Sequence, residues 1–168
     1  MDFNGINYTN YDILLICGLP SSGKSYFAKK YFSESGRKRI NRSEIRKMLF
    51  EMTNFGKNWS ETNFIEEDEV LIKHVEKKII EHLVHNKKKI LIDNTSVTRL
   101  SRKYYVDIAK ANNKSIAVIF INTPVIKCIE RNRMRADKKP ENVISQLYSK
   151  IELPEKKEGF NFTEIIEG

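Results

Sequence analysis

The sequence predicts an α/β protein, a parallel sheet with helices on both faces, and three observations carry that expectation. Short apolar runs at 12–17, 89–93 and 115–121 alternate along the chain with longer stretches of helical periodicity. The runs are continuous rather than alternating in polarity, as in strands buried on both sides. Between the first run and the first helical stretch lie eight residues, Gly18-Leu19-Pro20-Ser21-Ser22-Gly23-Lys24-Ser25. A loop of that kind sits at the carboxyl end of a parallel strand, where such sheets bind their ligands.

Taken in order, Met1 to Tyr11 is polar and reads as an irregular lead-in, followed by the strand Asp12 to Cys17. The loop matches G-x-x-x-x-G-K-[ST] at every fixed position, a pattern whose backbone N–H groups cradle phosphate at a helix N-terminus. Gly18, Leu19, Pro20, Ser21, Ser22 and Gly23 are thus expected to wrap a nucleoside triphosphate. Lys24 reaches its terminal phosphates, and the Ser25 hydroxyl is placed for the Mg²⁺ that bridges them. The fold class becomes a P-loop NTPase of kinase type, a three-layer sandwich. A helix from Lys24 to Phe32 follows, with Phe27, Ala28 and Tyr31 on one side. Arg37 to Asn41 is a brief strand weakened by its charge. Ser43 reads as the N-cap of a helix through Ile45, Met48, Leu49 and Met52. After a loop holding the single Trp, a long helix is expected from Glu61 to His85, with Ile65, Ile72, Val75, Ile79 and Leu83 as its apolar stripe. His74, His82 and His85 lie on it without a carboxylate or cysteine placed to complete a metal site, and read as satisfied or solvated side chains.

Lys89 to Asp93 is a strand that ends in a carboxylate, which suits Asp93 to face Mg²⁺ or its waters. Helices are expected from Thr98 to Asn112, from Pro124 through Ile129 and around 143–150, with strands at 115–121 and 162–166. Arg131 and Arg135, if helical, would share a face at i, i+4, two cations that repel unless an anion sits between them; a lid over about 131–142 would bring them over a transferring phosphate. Ser43 and Arg46, at i, i+3, are placed to hold an acceptor across the cleft.

At 168 residues the chain reads as one domain, 1–168. Its net charge of +8 favours an anionic partner, nucleic acid above all, although runs such as Lys87-Lys88-Lys89 also fit a solvated surface. Cys17 and Cys128 lie far apart in predicted core elements and read as buried thiols. With no signal peptide and no membrane-length apolar run, the expected setting is cytoplasmic, with no membrane partner.

Four segments resemble the 5′-hydroxyl polynucleotide kinase domain of bacteriophage type. They are Gly18 to Ser25, Ile40 to Arg46, Ile92 to Ser96 with Arg99 and Arg102 beyond, and Glu130 to Arg135. The resemblance implies transfer of the γ-phosphate of ATP to the 5′-OH of DNA or RNA. It implies that Arg135 contacts the transferring phosphate and that Arg46 contacts a phosphate of the acceptor strand. Where that family has an aspartate as general base, this chain has Ser43, and Glu44 is the neighbouring carboxylate, about 100° around the helix. The function expected is therefore an ATP-dependent phosphotransferase acting on a polynucleotide 5′ end. Two alternatives stay open: a small-molecule or nucleotide kinase on the same core, and an ATP-binding nucleic-acid or protein-binding module with degenerate catalysis.

Overall fold

A computed structural model describes residues 2–3 and 6–168 of the chain. Of the lead-in expected to be irregular, Met1, Asn4 and Gly5 lie outside the described residues. The rest is ordered differently from the expectation: β1 (Asp2–Phe3) pairs antiparallel with β2 (Ile6–Asn7), and a 3₁₀ turn spans Tyr8–Asn10. Tyr8 is buried edge-on against Phe32 and Phe162, so the segment covers one face of the protein.

The main sheet has five parallel strands: β3 (Ile13–Gly18), β4 (Lys38–Ile40), β5 (Ile90–Asp93), β6 (Ile116–Asn122) and β7 (Phe162–Glu167). Their spatial order is β4-β5-β3-β6-β7. Between them run α1 (Lys24–Phe32), α2 (Arg42–Thr53), α3 (Asp68–His85), α4 (Arg99–Ala111), α5 (Val125–Arg133) and α6 (Glu141–Tyr148). The period-two alternation of β3 divides the core. Leu14 and Ile16 face Phe27, Ala28 and Phe32 of α1. Ile13, Leu15 and Cys17 face the side carrying Ile45, Ile72, Ile80, Tyr105, Cys128 and Ile144 from the other five helices. Helices thus cover both faces, and the α/β three-layer sandwich expected from the sequence is the observed fold. Cys17 and Cys128 are buried free thiols, and burial pushes the Cys17 thiol up to about 12.

Three expected boundaries move, each for a physical reason. The N-cap of α2 is Asn41, not Ser43, because the Asn41 side chain accepts from the Glu44 N–H and also donates to the Asp93 carbonyl at 2.8 Å. The long helix starts at Asp68 rather than Glu61. The four consecutive acids 66–69 repel one another inside a helix but favour its positive end, and Glu61–Asn63 forms a separate 3₁₀ turn closed by a Ser60–Asn63 capping box. Ile65 falls outside the helix and is half exposed, while Ile72, Glu76, Ile80 and Val84 form the buried line, with Val75, Ile79 and Leu83 flanking it. Finally, α5 stops at Arg133, so Arg131 and Arg135 do not share a helix face. The buried Asn132 side chain donates to the Lys139 carbonyl at 2.8 Å and accepts from its N–H at 3.0 Å, clasping 134–139 into a loop.

The charge that weakened the β4 prediction is structural. Arg37 donates to the carbonyls of Tyr8, Tyr11, Asp12 and Ile90, and Arg39 reaches the end of β5.

Candidate active site

β3 delivers the phosphate loop to the middle of the sheet's carboxyl edge, beside the point where the chain crosses from β5 to β6. Gly18 has φ 144°, and a Cβ there would stand 2.6 Å from the Ile121 carbonyl oxygen, so the loop can leave the strand only through glycine. Gly23 (φ 100°) precedes α1, whose first turn holds no acidic residue and no side-chain cap, leaving its N–H groups facing the loop. The loop is tied down from both neighbouring strands. The Gly18 N–H donates to the Thr95 carbonyl at 2.9 Å, and the Thr123 hydroxyl donates to the Ser22 carbonyl at 2.8 Å.

Lys24 is buried, its ammonium donating to the Leu19 carbonyl, and burial depresses its pKa to about 8 against the attraction of Asp93. Asp93 is fully buried at the end of β5, with Oδ2 accepting from Arg39 Nε at 3.1 Å and Nη2 at 2.6 Å. Its Oδ1 has no protein partner, an orphaned acceptor at the carboxyl edge of the sheet. Such an oxygen, with the Ser25 hydroxyl that lines the same cleft, fits a hard cation held mainly by phosphate oxygens and waters. Among the described residues no group of three or more His, Cys, Asp or Glu is placed to hold a metal unaided.

These residues line a cleft of about 630 Å³. Of the sequence candidates, Pro20, Ser21, Gly23, Lys24, Ser25, Ser43, Glu44, Arg46, Asp93, Arg131 and Arg135 all line it. Gly18, Leu19 and Ser22 sit behind it as the loop's buried frame. Arg131 reaches the Ser22 carbonyl at 3.4 Å, and Arg135, presented by the loop rather than by helix, pairs with Asp137 at 2.7 Å. On the opposite rim Arg46 is held by Glu69 at 2.6 Å and stacks over Phe64. Ser43 and Glu44 both border the cleft despite their angular separation, because Arg39 Nη1 draws the Glu44 carboxylate in at 2.8 Å.

Sequence reasoning missed three contributors. Arg39 binds Asp93 and Glu44 with one guanidinium and so links two carboxylates that line the cleft. Nothing in a three-residue charged strand announces it. Glu76 is buried on α3. It accepts from Arg42 Nε at 2.7 Å, Tyr105 Oη at 3.1 Å and Asn94 Nδ2, while Asn94 Oδ1 accepts the Arg42 N–H at 2.9 Å. A carboxylate on the inward side of an amphipathic helix was its only trace. Trp59, in the segment between α2 and α3, lines the cleft as well. Arg99 and Arg102, by contrast, serve the frame: Arg99 pairs with Glu155, and the fully buried Arg102 pairs with Glu158.

A polyphosphate cradle on the central strand of a parallel five-stranded sheet, facing guanidiniums on the far rim, is the architecture of the P-loop kinases. Within that class the chain belongs to the AAA domain family AAA_33, whose model matches residues 13–154. Among curated relatives, an L-seryl-tRNA(Sec) kinase of Methanococcus maripaludis is 25% identical over 157 residues, 91% of this chain, and the chain spans 57% of that relative's length. A sugar kinase from Janibacter sp. superposes with a TM-score of 0.63 at 13% identity, over 92% of this chain and 84% of that one. A chain of the Pnkp1/Rnl/Hen1 complex superposes with a TM-score of 0.59 at 24% identity, over 80% of this chain and 46% of that one. At such identities the two structural likenesses show the fold alone. Among the described residues no helix is long and apolar enough to cross a membrane.

Proposed function

We propose that residues 1–168 form one kinase domain that transfers the γ-phosphate of ATP to the 5′-hydroxyl of a polynucleotide. The observation that carries this reading is the convergence on one cleft of two sets of groups: Lys24, Ser25 and Arg131 on the nucleotide side, Ser43, Glu44 and Arg46 on the other. The seryl-tRNA kinase relative adds support, being named for phosphorylation of an RNA-borne hydroxyl.

In this reading the loop from Gly18 to Ser25 holds the β- and γ-phosphates through its backbone N–H groups, and Lys24 turns from Leu19 to the phosphates. Ser25 and Asp93 would hold Mg²⁺, which would supply charge neutralisation at the phosphates. Arg46 positions the acceptor, and Arg131 and Arg135 of the lid (131–142) stabilise charge on the transferring group. The acceptor oxygen forms its bond to the γ-phosphorus as the bond from phosphorus to the bridging oxygen breaks. ADP departs, and Glu44 takes the hydroxyl proton, held within reach of the cleft by Arg39. Ser43 stands where a stronger base is accommodated, at the second position of α2, which favours a carboxylate.

The test is transfer of labelled γ-phosphate, with Mg²⁺, to 5′-OH DNA and RNA oligonucleotides, with nucleosides and sugars alongside. Label is expected on oligonucleotide ends and absent with Lys24→Ala. Ser43→Asp is expected to raise the rate, by up to about 10²-fold. Label on sugars or nucleosides in preference to oligonucleotides would transfer the reading to a small-molecule kinase. No label on any acceptor despite ATP binding would select a degenerate binding module.

A further inference from the structure

Trp59, the chain's only tryptophan, belongs to no helix or strand, yet its ring is held in place. Phe50 of α2 packs against it at 5.3 Å between ring centres and 73° between planes, and the Trp59 backbone N–H donates to Glu51 Oε1 at 3.3 Å. Trp59 lines both the cleft and a smaller pocket in which Leu49, Phe50, Ile65 and Leu71 stand beside Arg46 and Asp68. Arg46 lines both spaces with it, and the cleft lining also holds Lys47 of α2 and Lys139, which crosses from the 134–139 loop to Glu61 at 2.7 Å; Arg46 and Lys47 pair with Glu69 and Glu51. The whole lining holds eight Lys and Arg against five Asp and Glu. An aromatic ring held beside Arg46, in a cleft whose lining as a whole carries an excess of cations, matches a base attached to a phosphodiester: the ring stacks the base and the cations take the backbone. A neutral sugar or an amino acid has no use for both.

We propose that Trp59 stacks the terminal base of the acceptor strand, so that this site selects hydroxyl acceptors bearing a nucleobase. The proposal rests on the kinase reading above for the identity of the acceptor rim, but its fluorescence test does not. Intrinsic fluorescence of Trp59 reports binding directly. In the ADP complex of the wild-type protein, a short 5′-OH oligonucleotide is expected to change it saturably. The same oligonucleotide with an abasic 5′ residue should bind about tenfold or more weakly. Trp59→Ala should raise KM for the intact oligonucleotide by about tenfold and leave KM for ATP and for the abasic oligonucleotide alone, with Trp59→Phe recovering most of the loss. Equal responses to the two oligonucleotides overturn the stacking site, as does a saturable response to ATP or to a free sugar in their place. The two readings separate cleanly. Base-dependent fluorescence without phosphorylation sinks the kinase reading and keeps the stacking site. Phosphorylation of oligonucleotides with neither fluorescence nor KM dependent on the base does the reverse.

Discussion

Lys24 carries its ammonium inside the protein, where burial lowers the pKa to about 8 from an ordinary 10.5. The folded chain therefore holds fewer protons at this site than the unfolded chain between those two values. The cost of burying the charge is full below pH 8 and is relieved as pH rises toward 10.5, so the group's contribution to stability rises with pH across that window. Polyphosphate reverses the preference, since it stabilises the charged form. ATP binding is expected to take up protons at pH 8–9 and to weaken as pH rises further, with proton uptake absent in Lys24→Met. Calorimetry in two buffers of different ionisation enthalpy measures the uptake, and equal binding enthalpies in both would refute it. Lys24 itself was readable from the loop pattern. Its resting partner, the Leu19 carbonyl, was not, because it depends on how the loop folds back. Likewise Asp93 was readable as a strand-end carboxylate, whereas the Arg39 guanidinium that holds one of its oxygens comes from a different strand 54 residues away.

Helices α2, α3 and α4 meet β5 at a single buried carboxylate, Glu76. It is nearly surrounded: Arg42 pairs with one oxygen, and Asn94 and Tyr105 take the other. Burial first, and the Glu76 charge next, push the Tyr105 hydroxyl up to about 12, so that it remains a donor at any physiological pH. Removing the carboxylate leaves the half-buried Arg42 cation without its counter-charge, and leaves Arg42 and the Asn94 amide only the Tyr105 hydroxyl oxygen of this cluster to donate to. Glu76→Ala is therefore expected to destabilise the protein by about 3–5 kcal/mol. Glu76→Gln should cost less, because its carbonyl still accepts one of these bonds. Chemical denaturation of the two variants measures both, and a change under about 1 kcal/mol in Glu76→Ala would show the cluster to be dispensable. Elements were legible where a local signal was strong, a continuous apolar run for β3 and β6, the phosphate loop opening α1 and an amphipathic stripe for α4, and all four lie within a residue or two of expectation. They were illegible where a side chain outvoted local propensity, as Asn41 does in starting α2 and Asn132 does in ending α5.

The net charge of +8 acts over the whole molecule, and the cleft lining keeps an excess of cations, with Arg46, Lys47 and Lys139 among them. Each has a carboxylate partner, at Glu69, Glu51 and Glu61, which a bound strand would have to share or displace. Three phosphate contacts predict a slope of about −2 for log affinity against log salt with a single-stranded acceptor. A mononucleoside acceptor should show almost none. Measuring KM for both between about 50 and 200 mM salt distinguishes a strand-binding cleft from one built for small molecules.

The sequence by itself determined that this chain folds as a parallel α/β sandwich with a phosphate loop on its first long strand. Both are local signals: continuous apolar runs bury strands on two faces, and the loop's geometry follows from where its glycines fall. It also marked the basic segments that border the site. Only the tertiary structure decided which charges meet. Arg39 reached Asp93 and Glu44, Glu76 reached Arg42 and Asn94, and Trp59 came to the cleft wall because strand order and helix packing bring distant residues within hydrogen-bonding range. Side-chain pairing acts over a few ångströms of space and carries no period along the chain, so residues far apart in sequence give no sign of it until the fold is built.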